Sequence, residues 1–215
     1  MAQIFPEWTN RLPVLVVTSA ILFIILVVLG IWYYWSPWYT DVGYAPQQPV
    51  PYSHKLHVGE LGMDCRYCHT GVEVSPVAMV PPTQTCMNCH VMIKPDSPKL
   101  APIRASWEKK TPMFWVRIHK SPDYVYFDHS AHVSVGVGCE SCHGNIATME
   151  VVEQKKPLSM SWCLDCHRNP APHLRPRDQV TVMGWQPPPD QEDAGKAIVK
   201  KFNIKPPVTC SGCHR

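Results

Sequence analysis

The ten cysteines of this chain fall into five pairs with none left over: Cys65/Cys68, Cys86/Cys89, Cys139/Cys142, Cys163/Cys166 and Cys210/Cys213. Each pair is spaced C-x-x-C, and each is followed at once by a histidine: His69, His90, His143, His167 and His214. C-x-x-C-H is the signature of c-type haem attachment. The chemistry dictates the spacing. Two thiols three residues apart form thioether bonds to the two haem vinyl groups, and the adjacent imidazole then lies under the iron as proximal ligand. Structural zinc, a set of disulfides and thioredoxin-like redox pairs also use C-x-x-C. None of them requires a histidine after every pair. Five covalently bound haem c groups are expected.

Six histidines remain: His54, His57, His119, His129, His132 and His173. A six-coordinate haem needs a second strong-field ligand on its far face, so five haems need five. A lone histidine is ordinarily a surface or hydrogen-bonding residue, but these are patterned. His54 and His57 form an HxxH pair ahead of Cys65, and His129 and His132 form another ahead of Cys139. The context recurs as well, Tyr52-Ser-His54-Lys-Leu-His57 against Phe127-Asp-His129-Ser-Ala-His132. First histidines, first haem motifs and second haem motifs are offset by 75, 74 and 77 residues. A two-haem unit is therefore repeated, at about 54–90 and 129–167, and the motif at 210–214 stands outside it.

This HxxH-then-CxxCH pattern resembles the class III multihaem cytochromes c and their trihaem relatives. The resemblance implies that His54 faces the haem of His69 and His129 the haem of His143, while His57 and His132 bind adjacent haems. His119 and His173 stand alone near Pro-rich turns and complete the candidate ligands. Six candidates exceed five haems, so at least one is not a ligand. A thioether can also take a place, and Met/His ligation raises the reduction potential. Met149 and Met160 lie between the third and fourth motifs. Met149 is taken as the candidate metal ligand, with ordinary gap-filling as the alternative for both.

Leu12 to Trp35 are 24 consecutive uncharged positions. As a helix they would run about 36 Å, enough to cross the roughly 30 Å hydrocarbon core. The apolar part of a signal peptide is shorter, and this one closes on Trp32-Tyr33-Tyr34-Trp35, an interfacial aromatic belt. An uncleaved anchor is expected, spanning 12–36 with a short cytoplasmic tail at 1–11. Haem attachment on the outer side of the bacterial cytoplasmic membrane would place the rest in the periplasm. The single basic residue before the span, Arg11, agrees weakly. The span holds no ionisable side chain for handling quinol protons, which points to docking on a larger quinol-oxidising subunit.

Residues 37–52 read as an extended linker, and 53–215 as a pentahaem domain. That leaves roughly 32 residues per haem, too few to give each a private apolar core. Proline is 23 of 215 residues, about twice the average usage of roughly 5%. The expected fold is thus one transmembrane helix plus a multihaem cytochrome c domain. It is built of coil and short helices packed around haems, with little or no β. One amphipathic helix is expected near Asp190–Phe202. The net charge of +3 is too small and diffuse for binding nucleic acid.

No CxxCK occurs to keep an iron open for substrate, so a relay of electrons is favoured over a reductase and no catalytic residue is named. An anchored multihaem quinol dehydrogenase, resembling the one-helix tetrahaem type, or an electron-transfer subunit of another membrane complex is the alternative. The whole pattern, with segments Val116-Arg-Ile-His119 to His132 and Trp162 to Pro170, is similar to the family of pentahaem cytochrome c subunits found in bacterial alternative complex III. That resemblance implies an electron-transfer component of a quinol:electron-acceptor oxidoreductase. Its partners would be an iron–sulfur subunit, integral quinol-oxidising subunits, a monohaem cytochrome c and a periplasmic acceptor or oxidase.

Overall fold

A computed structural model describes residues 4–214. The first three residues of the expected cytoplasmic tail, and the last residue of the expected haem domain, lie outside the described residues. The chain divides into two compact units, one reaching to Asp41 and one from Val42 onward.

The N-terminal unit is dominated by α1, Leu12–Tyr34. Pro13 sits in its first turn, where the missing N–H is no loss and the fixed φ suits a helix. None of its residues is buried, so its apolar side chains are left exposed. It is long and apolar enough to cross a membrane. At its C-terminal end Tyr34 packs edge to face on Tyr33 and on Tyr39, with Tyr34–Tyr39 centroids 4.8 Å apart. A short helical turn, Pro37–Thr40, closes the unit.

The second unit is made of short helices joined by irregular chain. These are α2 (Cys65–Cys68), α3 (Thr83–His90), α4 (Ala101–Lys109), α5 (His129–Ser134), α6 (Cys139–His143), α7 (Met160–Arg168), α8 (Gln191–Phe202) and α9 (Cys210–Cys213). Among the described residues there is no strand, only the isolated bridges Val125↔His214 and Val137↔Leu174. Local chemistry sets several starts. Asp64 caps α2 by accepting from the Arg66 N–H, Asp128 caps α5 through Ala131, and Ser159 caps α7 through Trp162. α4 and α8 end in left-handed residues, Lys110 and Asn203.

The segment read as a linker is extended from about residue 44 but does not stand free. The Gly43 N–H donates to the Gln154 carbonyl and the Gln154 N–H to that of Tyr44. The Gln48 side chain exchanges two 2.9 Å hydrogen bonds with the Val116 backbone. Pro-rich chain leaves carbonyls without internal partners, and backbone N–H groups together with the Gln48 side-chain amide supply them here.

Buried apolar side chains are few among the described residues: Val50, Val72, Ile103, Met149, Pro157, Ala171, Leu174 and Val180. So small a core cannot by itself offset the chain entropy of a unit of this size. α8 contributes by laying its apolar side on the turn Ala171–His173. Gln191 reaches across to donate to the Leu174 carbonyl at 2.6 Å. The two pieces meet at Gly195, where any Cβ would run into the Ala171 backbone. Gly195→Ala is therefore expected to push α8 off this turn and cost about 1–3 kcal/mol. Chemical denaturation followed by far-ultraviolet circular dichroism measures it, and an unchanged midpoint would contradict the packing described.

Candidate haem sites

All five C-x-x-C-H motifs lie on helical turns, at α2, α3, α6, α7 and α9. One helical turn brings the two thiols of each pair to one side. None of the ten cysteines is in a disulfide.

The histidines are oriented by backbone carbonyls. Nδ1–H of His69 donates to Met79 at 2.7 Å, of His90 to Ile93 at 2.9 Å, and of His167 to Pro207 at 2.7 Å. His214 does the same to Tyr124 at 3.3 Å. Among the paired histidines, His57 donates to Ser53 at 2.8 Å, His129 to Pro76 and His132 to Asp128, both at 2.7 Å. A carbonyl can only accept, so each of these rings carries its proton on Nδ1 and leaves Nε2 free as a Lewis base. Metal-binding imidazoles are held in orientation in this same way.

Ring separations test whether a haem iron fits. Two metal–nitrogen bonds of about 2.0–2.1 Å, plus roughly 1 Å from each nitrogen to its ring centre, give about 6 Å between centroids. His57–His90 are 6.3 Å apart, His132–His167 6.0 Å and His129–His143 6.4 Å. All three admit an iron. His119–His143 centroids are only 4.3 Å apart, too close for an iron between those rings. His54 lies within electrostatic reach of His69. Its Nδ1 and the His119 Nε2 are buried without a hydrogen-bond partner.

Burial holds these imidazoles neutral. It lowers His54 and His119 to about 4, aided by His69 and His57 in one case and by His129 in the other. His143 falls to about 3, by burial first and then by His119 and His129. His132 is lowered too, again chiefly by burial. The thiols respond in the opposite sense. Burial, then Cys166 and Cys163, push Cys142 up to about 12.

The remaining expected ligands are dispersed. His173 is exposed at the end of the turn that packs on α8, and among the described residues it joins none of the ring pairs. Met149 is buried just after α6, its carbonyl accepting from the Lys55 N–H at 2.9 Å, whereas Met160 is exposed.

Two sets of residues escaped the reading of the sequence. Tyr52 stacks on His57 at 4.4 Å and meets His54 edge-on at 4.8 Å. Phe127 does the same to His132 at 4.5 Å and His129 at 4.8 Å. The signal was there, since both aromatics hold one place in the repeat. The other set is the buried pair Arg175–Glu140, 2.9 Å apart, with Glu140 inside the third motif. Arg175 also donates to the Val182 carbonyl at 2.9 Å and lies over the Trp185 ring. Glu140 accepts from the Gly184 and Trp185 N–H groups. Gly138, just before α6, is where the guanidinium passes, and a Cβ there would collide with it. No periodicity in the sequence marks such a pair.

Comparison with known proteins agrees with this geometry. Residues 125–215 match the family described as cytochrome c7 and related cytochrome c. The chain is also 29% identical over 175 residues to a menaquinone reductase multihaem cytochrome c subunit of Nitratidesulfovibrio vulgaris, covering 70% of this chain and 81% of that protein. Motif helices, oriented imidazoles and iron-width ring pairs fit a multihaem cytochrome domain, similar to cytochrome c7 over residues 125–215, in a chain that carries one apolar N-terminal helix.

Proposed function

We propose that the chain is a membrane-anchored pentahaem electron-transfer subunit of a quinone-linked oxidoreductase, with alternative complex III as the specific assembly. The observation that carries this is the set of iron-width histidine pairs in a unit with almost no apolar core of its own. Bound haem would supply one-electron ferric/ferrous chemistry. Cys65/Cys68, Cys86/Cys89, Cys139/Cys142, Cys163/Cys166 and Cys210/Cys213 would attach it. His69, His90, His143, His167 and His214 would be the proximal ligands. Ring separations support His57, His132 and His129 as distal partners of His90, His167 and His143. Electrostatic proximity supports His54 for His69.

The apolar helix α1 supports a single-pass anchor in the bacterial cytoplasmic membrane, with the haem domain on the periplasmic side. It offers no ionisable group for quinol chemistry, which favours integral quinol-handling, iron–sulfur and monohaem cytochrome c partners over a free-standing quinol dehydrogenase. The similarity to a menaquinone reductase component favours a second reading for the direction of flow, toward quinone.

A pyridine haemochrome assay on detergent-extracted material, combined with size exclusion, tests the proposal. Five haems per chain in a particle far heavier than 24.4 kDa are expected. Fewer haems, or a lone monomer that quinol reduces, would overturn it.

A further inference from the structure

We infer that the five attachment motifs stand in one line in the order second, first, third, fourth, fifth, so that the ends are Cys86–His90 and Cys210–His214. This rests on the pentahaem reading above. Each link is a contact between motifs or their immediate supports. The second and first touch directly, because Asn88 inside one C-x-x-C donates to the Tyr67 hydroxyl inside the other at 3.3 Å. The first and third share one strap of chain. The Cys139 N–H donates to the Val180 carbonyl at 2.9 Å, and the Cys65 thiol faces the next carbonyl, Thr181, at 3.9 Å. Those two thiols also lie within electrostatic reach of each other.

The third and fourth motifs are joined through α5, whose His129 and His132, three residues apart on one side, face His143 and His167 respectively. Cys142 lies within electrostatic reach of Cys163 and Cys166. The fourth and fifth meet where His167 donates to Pro207, just ahead of α9, with Cys163 within electrostatic reach of Cys213. Thioether carbons belong to the haem edge, so motifs joined this closely bring the edges of their haems near one another. Electron tunnelling falls off exponentially with that edge separation, so neighbours on the line are the partners that exchange electrons.

An independent observation agrees. Of the ten cysteines only Cys89 and Cys210 are exposed, one from each end of the line, and the other eight are half-buried. Exposed apolar side chains follow His90 immediately, with Val91 58%, Met92 82% and Ile93 56% exposed. The order also explains the repeat. The two-haem units abut through their first motifs, so each second motif points outward, and the unrepeated fifth extends only one side. The ends are where the redox groups of partner proteins come closest, to give an electron at one and take it at the other.

The test is a potentiometric titration of the purified holoprotein, resolving its haems as separate Nernst components. Cys86→Ala/Cys89→Ala and Cys210→Ala/Cys213→Ala should each remove one component and shift one remaining component, a different one in each variant. Should these fail to accumulate, His90→Met and His214→Met keep the thioether bonds and raise the potential of their own haem. The same single-neighbour shift is expected of each. His143→Met, in the middle of the line, should shift two. An end variant that shifts two or more neighbours, or the same component shifting in both end variants, would overturn the order. A wild-type haem count other than five would instead sink the pentahaem reading.

Discussion

Replacing Arg175 with alanine is expected to destabilise the haem domain by about 3–5 kcal/mol, the range for removing one partner of a buried ion pair. The Arg175 side chain is 4% exposed and that of Glu140 is 17%. The guanidinium ties three pieces of chain together. It pairs with Glu140 in the third motif, donates to the Gln179 and Val182 carbonyls, and packs on Trp185. Without it, Glu140 keeps two backbone donors but loses its counter-charge, and two carbonyls lose their donor. Denaturant unfolding followed by Soret absorbance measures the change. Arg175→Met combined with Glu140→Gln should cost less than Arg175→Ala alone, because no unpaired charge stays buried. A double variant no more stable than the single one would show that the pair's charge is not what matters.

The second large effect is on coordination. His57→Ala and His132→Ala should each leave the haem count unchanged and open one iron position, at the haems of His90 and His167. Reduced wild-type protein has no imidazole vacancy at these two sites if the 6.3 Å and 6.0 Å ring pairs are the axial pairs. Each variant should then bind one additional carbon monoxide per chain, with a new high-spin signal before the gas is added. His173→Ala should bind none beyond wild type, because that ring is exposed and outside the pairs. Carbon monoxide binding by the His173 variant, or none by the other two, would refute the assignment. Substituting Tyr52 by Ala frees the rings of His54 and His57 without removing either. It should broaden the low-spin electron paramagnetic resonance signals of their haems, and Tyr52→Phe should restore them. An Ala variant with unbroadened signals would remove the positioning role from Tyr52.

Most of the chemistry is short-range and was readable from the chain. A C-x-x-C-H motif carries two thiols and an imidazole on one helical turn, so residue spacing alone specifies the site. The HxxH repeats work the same way over three residues of helix. Apolar helix α1 follows from an uninterrupted run of uncharged residues, and the absence of strands among the described residues follows from proline frequency and the crowding of motifs. The linker reading, by contrast, missed the side-chain hydrogen bonds of Gln48 and the backbone hydrogen bonds of Gln154, because neither a side-chain amide nor a loop backbone has a preferred partner in sequence.

The sequence by itself determined where the five C-x-x-C-H motifs lie and that a membrane-length helix precedes them. Only the tertiary structure decided which imidazoles stand an iron's width apart, that His119 crowds His143, that Arg175 is buried against Glu140, and that the first and second motifs exchange places in the line of sites. Local spacing encodes a site because the backbone geometry of one turn is nearly invariant. The order of sites depends on contacts between residues far apart in the chain, 21 for Asn88 with Tyr67, 40 for His167 with Pro207 and 116 for Cys65 with Thr181, and these exist only once the chain has packed.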